Sequence, residues 1–124
     1  MIQDSALPRV ELGRRGEDAA TALLESEGYR IVARNFRMKT GEIDIIAEKA
    51  GIICFVEVKN WSVFGSEDLA RAISSRKRRR IVETSKIFLS RNREYSSAQV
   101  RYDVILLRDG TVVRRFESAF TGES

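Results

Sequence analysis

The chain of 124 residues is long enough for one folded domain and too short for two. Its composition, 43% hydrophobic and 32% charged, is that of a globular protein. Histidine is absent, which excludes imidazole catalysis and histidine-ligated metals. The single cysteine, Cys54, excludes disulfides and cysteine-rich zinc sites, and its apolar neighbours predict a buried core position.

No apolar stretch approaches the roughly 18 to 20 residues that a membrane-spanning helix needs. The N-terminal residues include Asp4 and Pro8 and lack the apolar core of a signal peptide. We therefore expect a cytoplasmic protein with no membrane partner and no disulfide partner. Residues 1–12 are expected to form a flexible leader, residues 13–120 a single domain and residues 121–124 a short tail.

The basic charge is concentrated in one segment. The whole chain has 22 basic and 18 acidic residues, a net charge of +4. Between Arg71 and Arg93 there are nine basic residues and one acid, so this segment carries +8 and the remainder −4. The asymmetry favours a polyanionic partner, although such a run also occurs as a solvated helix face.

The first half of the chain predicts one helix and three strands. Apolar side chains at helical spacing (Ala19, Ala20, Leu23 and Leu24) indicate a helix over residues 13–29, with a stop at Gly28. Three β-rich runs follow, and hairpin spacing separates the last two. These runs are residues 30–36, 42–48 and 52–60.

The second half predicts helices and then a hairpin. After a loop over residues 61–65, Ser66 could cap a short helix and Ser75 a longer one. The longer helix has a stripe formed by Ile81, Val82, Ser85, Phe88 and Leu89. A polar loop over residues 92–97 leads to strands over 99–107 and 111–116, which the turn residues Asp109-Gly110 join as a hairpin.

Two acids and a lysine fall on one side of the central predicted hairpin. Side chains alternate along a strand, so Asp44, Glu57 and Lys59 share a side whichever turn joins the strands. A two-residue turn opposes Asp44 to Glu57, and a four-residue turn opposes Asp44 to Phe55. Directly opposed residues have Cβ atoms about 4.5–5.5 Å apart, close enough for two carboxylates to share a cation.

A solvent-facing polar stripe would be the ordinary interpretation of these acids. Ile46, Ile53 and Phe55 lie on the same face, however, and the opposite face is also apolar. Such a sheet is expected to be covered on both sides, so the acids would be partly buried. Their mutual repulsion and desolvation would then be costly unless a cation or Lys59 compensates them. Oxygen ligands without histidine favour Mg²⁺ or Mn²⁺.

The order of these motifs resembles a known family. Asp44 followed by Glu57-Val58-Lys59 resembles the metal-binding signature of PD-(D/E)XK nucleases. The closer match is to the bacterial YraN family, which resembles archaeal Holliday-junction resolvases, and it runs from about residue 13 to residue 120. The residues that carry it are Gly16-Glu17-Asp18-Ala19-Ala20, Asn35-Phe36-Arg37, Gly41-Glu42-Ile43-Asp44-Ile45-Ile46, Phe55-Val56-Glu57-Val58-Lys59, Lys77 and Arg101-Tyr102-Asp103-Val104.

The resemblance implies an α/β, restriction-endonuclease-like fold, a mixed sheet flanked by helices. It implies that Asp44, Glu57 and the Val58 carbonyl hold Mg²⁺ or Mn²⁺. Lys59 would orient or activate the attacking water. Glu17 takes the place of the first-helix acid, a catalytic residue and metal ligand, and Glu42 is an outer-shell acid.

The basic run suggests how nucleic acid would be held. If Ser75 caps the longer helix, five cations crowd the positive end of its dipole, which stability alone would not favour and phosphate binding would. The candidate nucleic-acid contacts are Arg76, Lys77, Arg78, Arg79, Arg80, Arg37 and Trp61. Trp61 and Phe64 either stack on unpaired bases or pack at a protein surface.

Three other residues near the C-terminal hairpin are expected to be structural. Tyr102 and Val104 alternate with charged residues and are predicted to lie in the sheet core. Asp103 is expected to pair with an arginine such as Arg101 or Arg37.

The sequence therefore predicts a metal-dependent endonuclease that hydrolyses phosphodiester bonds in DNA, in branched or recombination intermediates. One alternative is a nucleic-acid-binding module that no longer cuts. Another is a protein-interaction scaffold that uses the basic helix. By analogy with resolvases, which make two symmetric cuts, a homodimer is also expected.

Overall fold

The computed structural model describes residues 9–60 and 73–122. Within these ranges the chain folds into two α-helices, five strands and a short 3-10 turn, in the order predicted from the sequence. The elements are α1 (Arg9–Ser26), β1 (Arg30–Met38), β2 (Gly41–Lys49), β3 (Ile52–Asn60), α2 (Ser75–Arg91), the 3-10 turn (Arg93–Tyr95), β4 (Gln99–Arg108) and β5 (Thr111–Phe120).

The five strands form one mixed sheet in sequence order, β1-β2-β3-β4-β5. The central pair, β3 and β4, is parallel, and every other neighbouring pair is antiparallel. A parallel pair needs a crossover connection, and α2 lies in that connection. The mixed α/β class is thus confirmed, and the architecture is consistent with a restriction-endonuclease-like fold.

Among the described elements, α1 covers one face of the sheet and α2 covers the other, as the apolar character of both faces predicted. On the α1 face, Ala20 and Leu24 pack with Ile45, Val56 and Ile105. On the α2 face, the cluster of buried residues comprises Ile43, Ile46, Ile53, Phe55, Ile81, Val82, Phe88, Tyr95 and Tyr102. Cys54 is fully buried on the α1 face, which confirms its assignment to the core.

The turn between β2 and β3 fixes which acids face each other. Ala50 and Gly51 both have positive φ, 51° and 82°, the backbone of a two-residue hairpin turn. The recorded pairs run from Lys49 opposite Ile52 to Ile45 opposite Val56. Of the two registers that the sequence left open, the four-residue turn is therefore wrong.

Several element boundaries differ from the prediction. Helix α1 begins at Arg9, inside the predicted leader, and ends at Ser26, before Gly28 with φ 94°. The residue that caps α2 is Ser74, whose hydroxyl accepts a hydrogen bond from the Lys77 amide at 3.1 Å, so the expected cap at Ser75 is wrong by one residue. Strand β5 continues to Phe120.

The predicted polar loop over residues 92–97 contains a 3-10 turn that buries Tyr95. Neither described helix is long and apolar enough to cross a bilayer. The predicted loop from Trp61 and the short helix from Ser66 fall mostly outside the described residues, as does most of the predicted leader. The division into leader, domain and tail stays a prediction.

Candidate active site

Asp44 and Glu57 lie where strands β2 and β3 separate. The recorded strand pairing ends at Ile45 and Val56, and one further step of the same register would place Asp44 opposite Glu57. The Val58 amide donates to Asp44 Oδ2 at 2.8 Å, so a side chain accepts a bond that a strand backbone would otherwise accept. The two carboxyl groups therefore meet at an opening inside the sheet.

The surroundings of Asp44 oppose its ionisation. Burial and then the charge of Glu57 raise the pKa of Asp44 to about 8, although the hydrogen bond from the Val58 amide acts in the opposite direction. The charge of Glu17 contributes a smaller effect in the same direction as Glu57. Without a cation, the Asp44 carboxyl therefore keeps its proton to near-neutral pH.

A lysine from the opposite layer compensates Glu57. The Lys77 ammonium lies 2.6 Å from Glu57 Oε2, and the glutamate side chain is only 4% exposed. Burial alone would lower the pKa of Lys77, but its hydrogen bond and charge interaction with Glu57 raise the pKa overall. Lys77 was expected from the sequence to contact nucleic acid, and the structure places it in contact with Glu57.

Lys59, one of the two alternatives that the sequence offered for compensating the acids, forms no ion pair with the described acids. It is exposed near the end of β3, two residues beyond Glu57. No carboxylate of the described part of the chain lies within 4 Å of its ammonium nitrogen. The charge partner of Glu57 is Lys77 on α2.

The other two candidate acids are held by basic or polar neighbours. Glu17 Oε1 accepts hydrogen bonds from Arg34 Nη2 at 3.3 Å and from Asn35 Nδ2 at 3.0 Å. Glu42 pairs at 3.4 Å with Arg37, an exposed candidate nucleic-acid contact. Within residues 9–60 and 73–122, no three acidic or thiol side chains form a group that could hold a metal ion.

A cleft of about 450 Å³ opens beside the acid pair. One wall comes from β2 and β3, and the other comes from the first turns of α2. The two walls approach closely at Gly41, where an added Cβ would lie 3.3 Å from the Cβ of Arg80. The lining residues are Gly41, Glu42, Asp44, Glu57, Ser74, Arg76, Lys77, Arg80 and Ile81.

The basic residues of α2 are divided between two clefts. Arg76, Lys77 and Arg80 line the acid cleft, whereas Arg78 and Arg79 line a second cleft. The cleft therefore joins an acidic floor to a basic wall, an arrangement that can hold a cation and a phosphate together. Trp61, the remaining candidate contact, lies outside the described residues.

The donor set fits a hard divalent cation. Two carboxylates converge in a partly buried position, and burial together with the charge of Glu57 raises the pKa of Asp44 to about 8 even though the Lys77 ammonium lies beside Glu57. Mg²⁺ is commonly bound through one or two carboxylates and keeps several waters, so a third carboxylate is not required. Within β3, the Val58 carbonyl is expected to face β2 because its amide does.

Asp103 belongs to a separate, structural cluster. It is fully buried and pairs with Arg101 at 2.9 Å, which confirms one of its two predicted partners. The alternative partner is wrong, because Arg37 pairs with Glu42 instead. Arg115, which the sequence analysis missed, also contacts Asp103, at 3.4 Å. Tyr102 and Val104 are buried in the sheet core as predicted.

Comparison with known proteins gives a consistent result. A model of the uncharacterised protein family UPF0102 matches residues 16–107. A UPF0102 protein of Treponema pallidum is 48% identical over 97 residues, covering 78% of this chain and 77% of the relative. A UPF0102 protein of Rhodopseudomonas palustris is 38% identical over 121 residues, covering 95% and 92% of the two chains. In Persephonella marina the identity is 40% over 100 residues, with coverage of 81% and 85%.

Proposed function

The chain belongs to the uncharacterised protein family UPF0102, and from its site we propose that it is a metal-dependent endonuclease of the PD-(D/E)XK type acting on DNA. The observation that carries this proposal is the convergence of Asp44 and Glu57 in a cleft whose other wall is basic. Phosphodiester hydrolysis needs both a cation site and a site for the phosphate. A simple structural ion pair would need neither the second acid nor the cleft.

In this proposal Asp44, Glu57 and the Val58 carbonyl hold Mg²⁺ or Mn²⁺. When bound, the ion neutralises phosphate charge and lowers the pKa of a coordinated water. The raised pKa of Asp44 supports this assignment, because a divalent cation is the partner that would favour both carboxylates in the charged form. Glu17 would act on Asp44 through its charge, since Arg34 and Asn35 hold its carboxylate.

The remaining side chains bind and orient the substrate. Arg76 and Arg80 line the cleft and would contact the phosphate oxygens. Lys59 is exposed and forms no ion pair with the described acids, and its ammonium would orient the attacking water or hold a proton near it. No histidine is then required for the proton transfer. Glu42 would position Arg37 at the rim of the cleft.

A second candidate function, nucleic-acid binding without cleavage, is favoured by one observation. Lys77 already compensates Glu57, so the ion pair could persist as a structural contact beside the basic wall. A third candidate function for the same basic residues is a protein scaffold that uses α2 as its contact surface.

The resemblance to resolvases makes branched DNA the first substrate to test, with two copies of the chain making the two cuts.

The test is a cleavage assay with Mg²⁺ or Mn²⁺ on junction, flap, single-stranded and duplex DNA. We expect nicking by the wild type, and its loss in Asp44→Asn and Glu57→Gln with binding retained in metal-free buffer. The matched control is Glu48→Gln, also on β2, where Arg30 pairs with the acid at 3.0 Å. This control should cut at the wild-type rate.

The alternatives give different results in the same experiment. Salt-sensitive binding without cleavage of any substrate would favour the non-cleaving module. Absence of nucleic-acid binding at low salt would favour the scaffold. Cleavage that survives in both Asp44→Asn and Glu57→Gln would assign the activity to other residues or to a contaminant.

A further inference from the structure

A second cleft lies beside the first two turns of α2. Its volume is about 470 Å³, and it is formed between α2 and the end of β5. Two guanidinium groups and an apolar surface line it together. The lining residues are Ser75, Arg78, Arg79, Val82, Ala119, Phe120 and Thr121.

The two clefts lie on different flanks of one helix, α2. Successive residues of an α-helix turn by about 100°, so Arg78 projects roughly opposite to Arg76 and Arg80, and Arg79 projects about 80° from their mean direction. The recorded linings agree with this geometry, because the first pair lines the acid cleft and the second pair lines the other. The helix backbone therefore separates two basic surfaces.

The guanidinium groups of the second cleft lack acidic partners in the described part of the chain. No described carboxylate lies within 4 Å of Arg78 or Arg79, even though Glu83 is four residues after Arg79 on the same helix. Among the described side chains, Arg78 donates a long hydrogen bond of 3.4 Å to the Ser75 hydroxyl. Cations in the first turns of a helix are unfavourable for its stability, so these arginines are better explained by an anionic ligand.

We propose that this second cleft binds the sugar–phosphate backbone of a second nucleic-acid strand, which makes the substrate double-stranded. The inference rests on the proposed function, in which the acid cleft binds the strand to be cut. A helix with its side chains is about 10–12 Å across, and the major groove of B-DNA, about 12 Å wide, admits one. The N-terminal turns of α2 then place Arg76 and Arg80 toward one strand, and Arg78 and Arg79 toward the other.

The experiment compares binding of a duplex and of one of its single strands, without divalent metal and at several salt concentrations. The double variant Arg78→Ala/Arg79→Ala should bind the duplex at least tenfold more weakly and the single strand within about twofold of wild type. The slope of the logarithm of the duplex-binding constant against the logarithm of the salt concentration should become shallower by about 2, since each phosphate contact contributes about 0.9 to that slope. Arg76→Ala/Arg80→Ala should weaken the binding of both the duplex and the single strand.

The matched control is Arg91→Ala/Arg93→Ala. It removes the same charge from exposed positions at the far end of α2 and the following turn, and it should leave both affinities within about twofold. Equal losses for duplex and single strand in Arg78→Ala/Arg79→Ala, or no loss at all, would overturn the second-strand assignment and leave the proposed function standing. If the wild type binds neither ligand, the proposed function fails first.

Discussion

The ammonium nitrogen of Lys77 lies 2.6 Å from Glu57 Oε2, inside the cleft where the proposed metal ion would bind. A cation from α2 therefore compensates an acid of β3 before any metal arrives. The lysine side chain is 45% exposed and the glutamate side chain 4%, so the lysine is the partner that can move away. Metal binding at this site would compete with the ion pair.

We therefore expect Lys77→Met to bind Mn²⁺ more tightly than the wild type, by roughly threefold to tenfold, because the competing charge is gone. Isothermal titration calorimetry at pH 8 measures the change. Lys86→Met is the control, since it removes an exposed lysine from the same helix outside the cleft. Weaker Mn²⁺ binding in Lys77→Met would mean that the lysine supports the site instead of competing for it.

The raised pKa of Asp44 predicts how stability depends on pH. The folded protein holds this proton up to about pH 8, whereas an unfolded aspartate releases it near pH 4. The folded state therefore binds more protons between these values, so this contribution to stability is complete below about pH 4 and is lost as the pH rises through about 8. Melting temperatures in EDTA should fall between pH 5 and pH 9.

The variant that isolates this effect is Asp44→Asn, which is close in shape and does not titrate. Its melting temperature should change less with pH than that of the wild type, and the two proteins should differ most at high pH. Addition of Mg²⁺ should also reduce the fall in the wild type, since the ion favours the charged form. An identical pH dependence in wild type and Asp44→Asn would assign the titration to another group.

Lys59 should matter for catalysis and not for stability. It is exposed on β3 and makes no ion pair with the described residues, so Lys59→Met should leave the melting temperature almost unchanged. We expect cleavage to slow by about 10²-fold or more, in the range for loss of a group that assists proton transfer. Single-turnover rates and Mn²⁺ affinity, measured together, separate this role from metal binding. Wild-type rates in Lys59→Met would assign the water-orienting role elsewhere.

Substitution of Asp103 should lower the stability of the fold and leave metal binding unchanged. Asp103 is fully buried, and its substitution by asparagine leaves Arg101 and Arg115, both nearly buried, without their shared carboxylate. Because removal of one partner from a buried pair costs about 3–5 kcal/mol, we expect Asp103→Asn to lower the free energy of unfolding by an amount of that order. Urea denaturation measures it.

Glu117→Gln provides the comparison for that cluster. Glu117 is 59% exposed and lies 3.8 Å from Arg115, so its loss should cost less than about 1 kcal/mol. Mn²⁺ affinity should stay the same in both variants, because neither residue lines the acid cleft. A stable Asp103→Asn protein would contradict this expectation and would indicate that Glu27 and Glu117 are sufficient partners for the two arginines.

Local patterns were sufficient to predict the central hairpin. Alternation along residues 42–48 and 52–60 gave the two strands, and the Ala50-Gly51 turn is one of the two alternatives that spacing allowed. The partner of Glu57 could not be predicted in this way. Its contact with Lys77 depends on how α2 packs across the sheet, and the sequence offered the nearer Lys59 instead.

Other differences also depend on tertiary contacts. Tyr95 occurs in a polar segment, yet it packs against Phe88 with ring centroids 6.0 Å apart. Arg115 lies on β5, and only the pairing of β4 with β5 brings it to Asp103. The spacing of apolar residues and the residues of a turn carry information about neighbours along the chain, whereas these contacts join elements far apart in sequence.

The hydrogen bond from the Val58 amide to Asp44 Oδ2 gives the molecule an internal reporter. An amide proton held by a carboxylate, and not by a neighbouring strand, should change its nuclear magnetic resonance frequency and its rate of exchange with deuterium whenever that carboxylate acquires a new partner. A nitrogen-15 spectrum of this one backbone position would then follow occupancy of the site during a titration, with no substrate present.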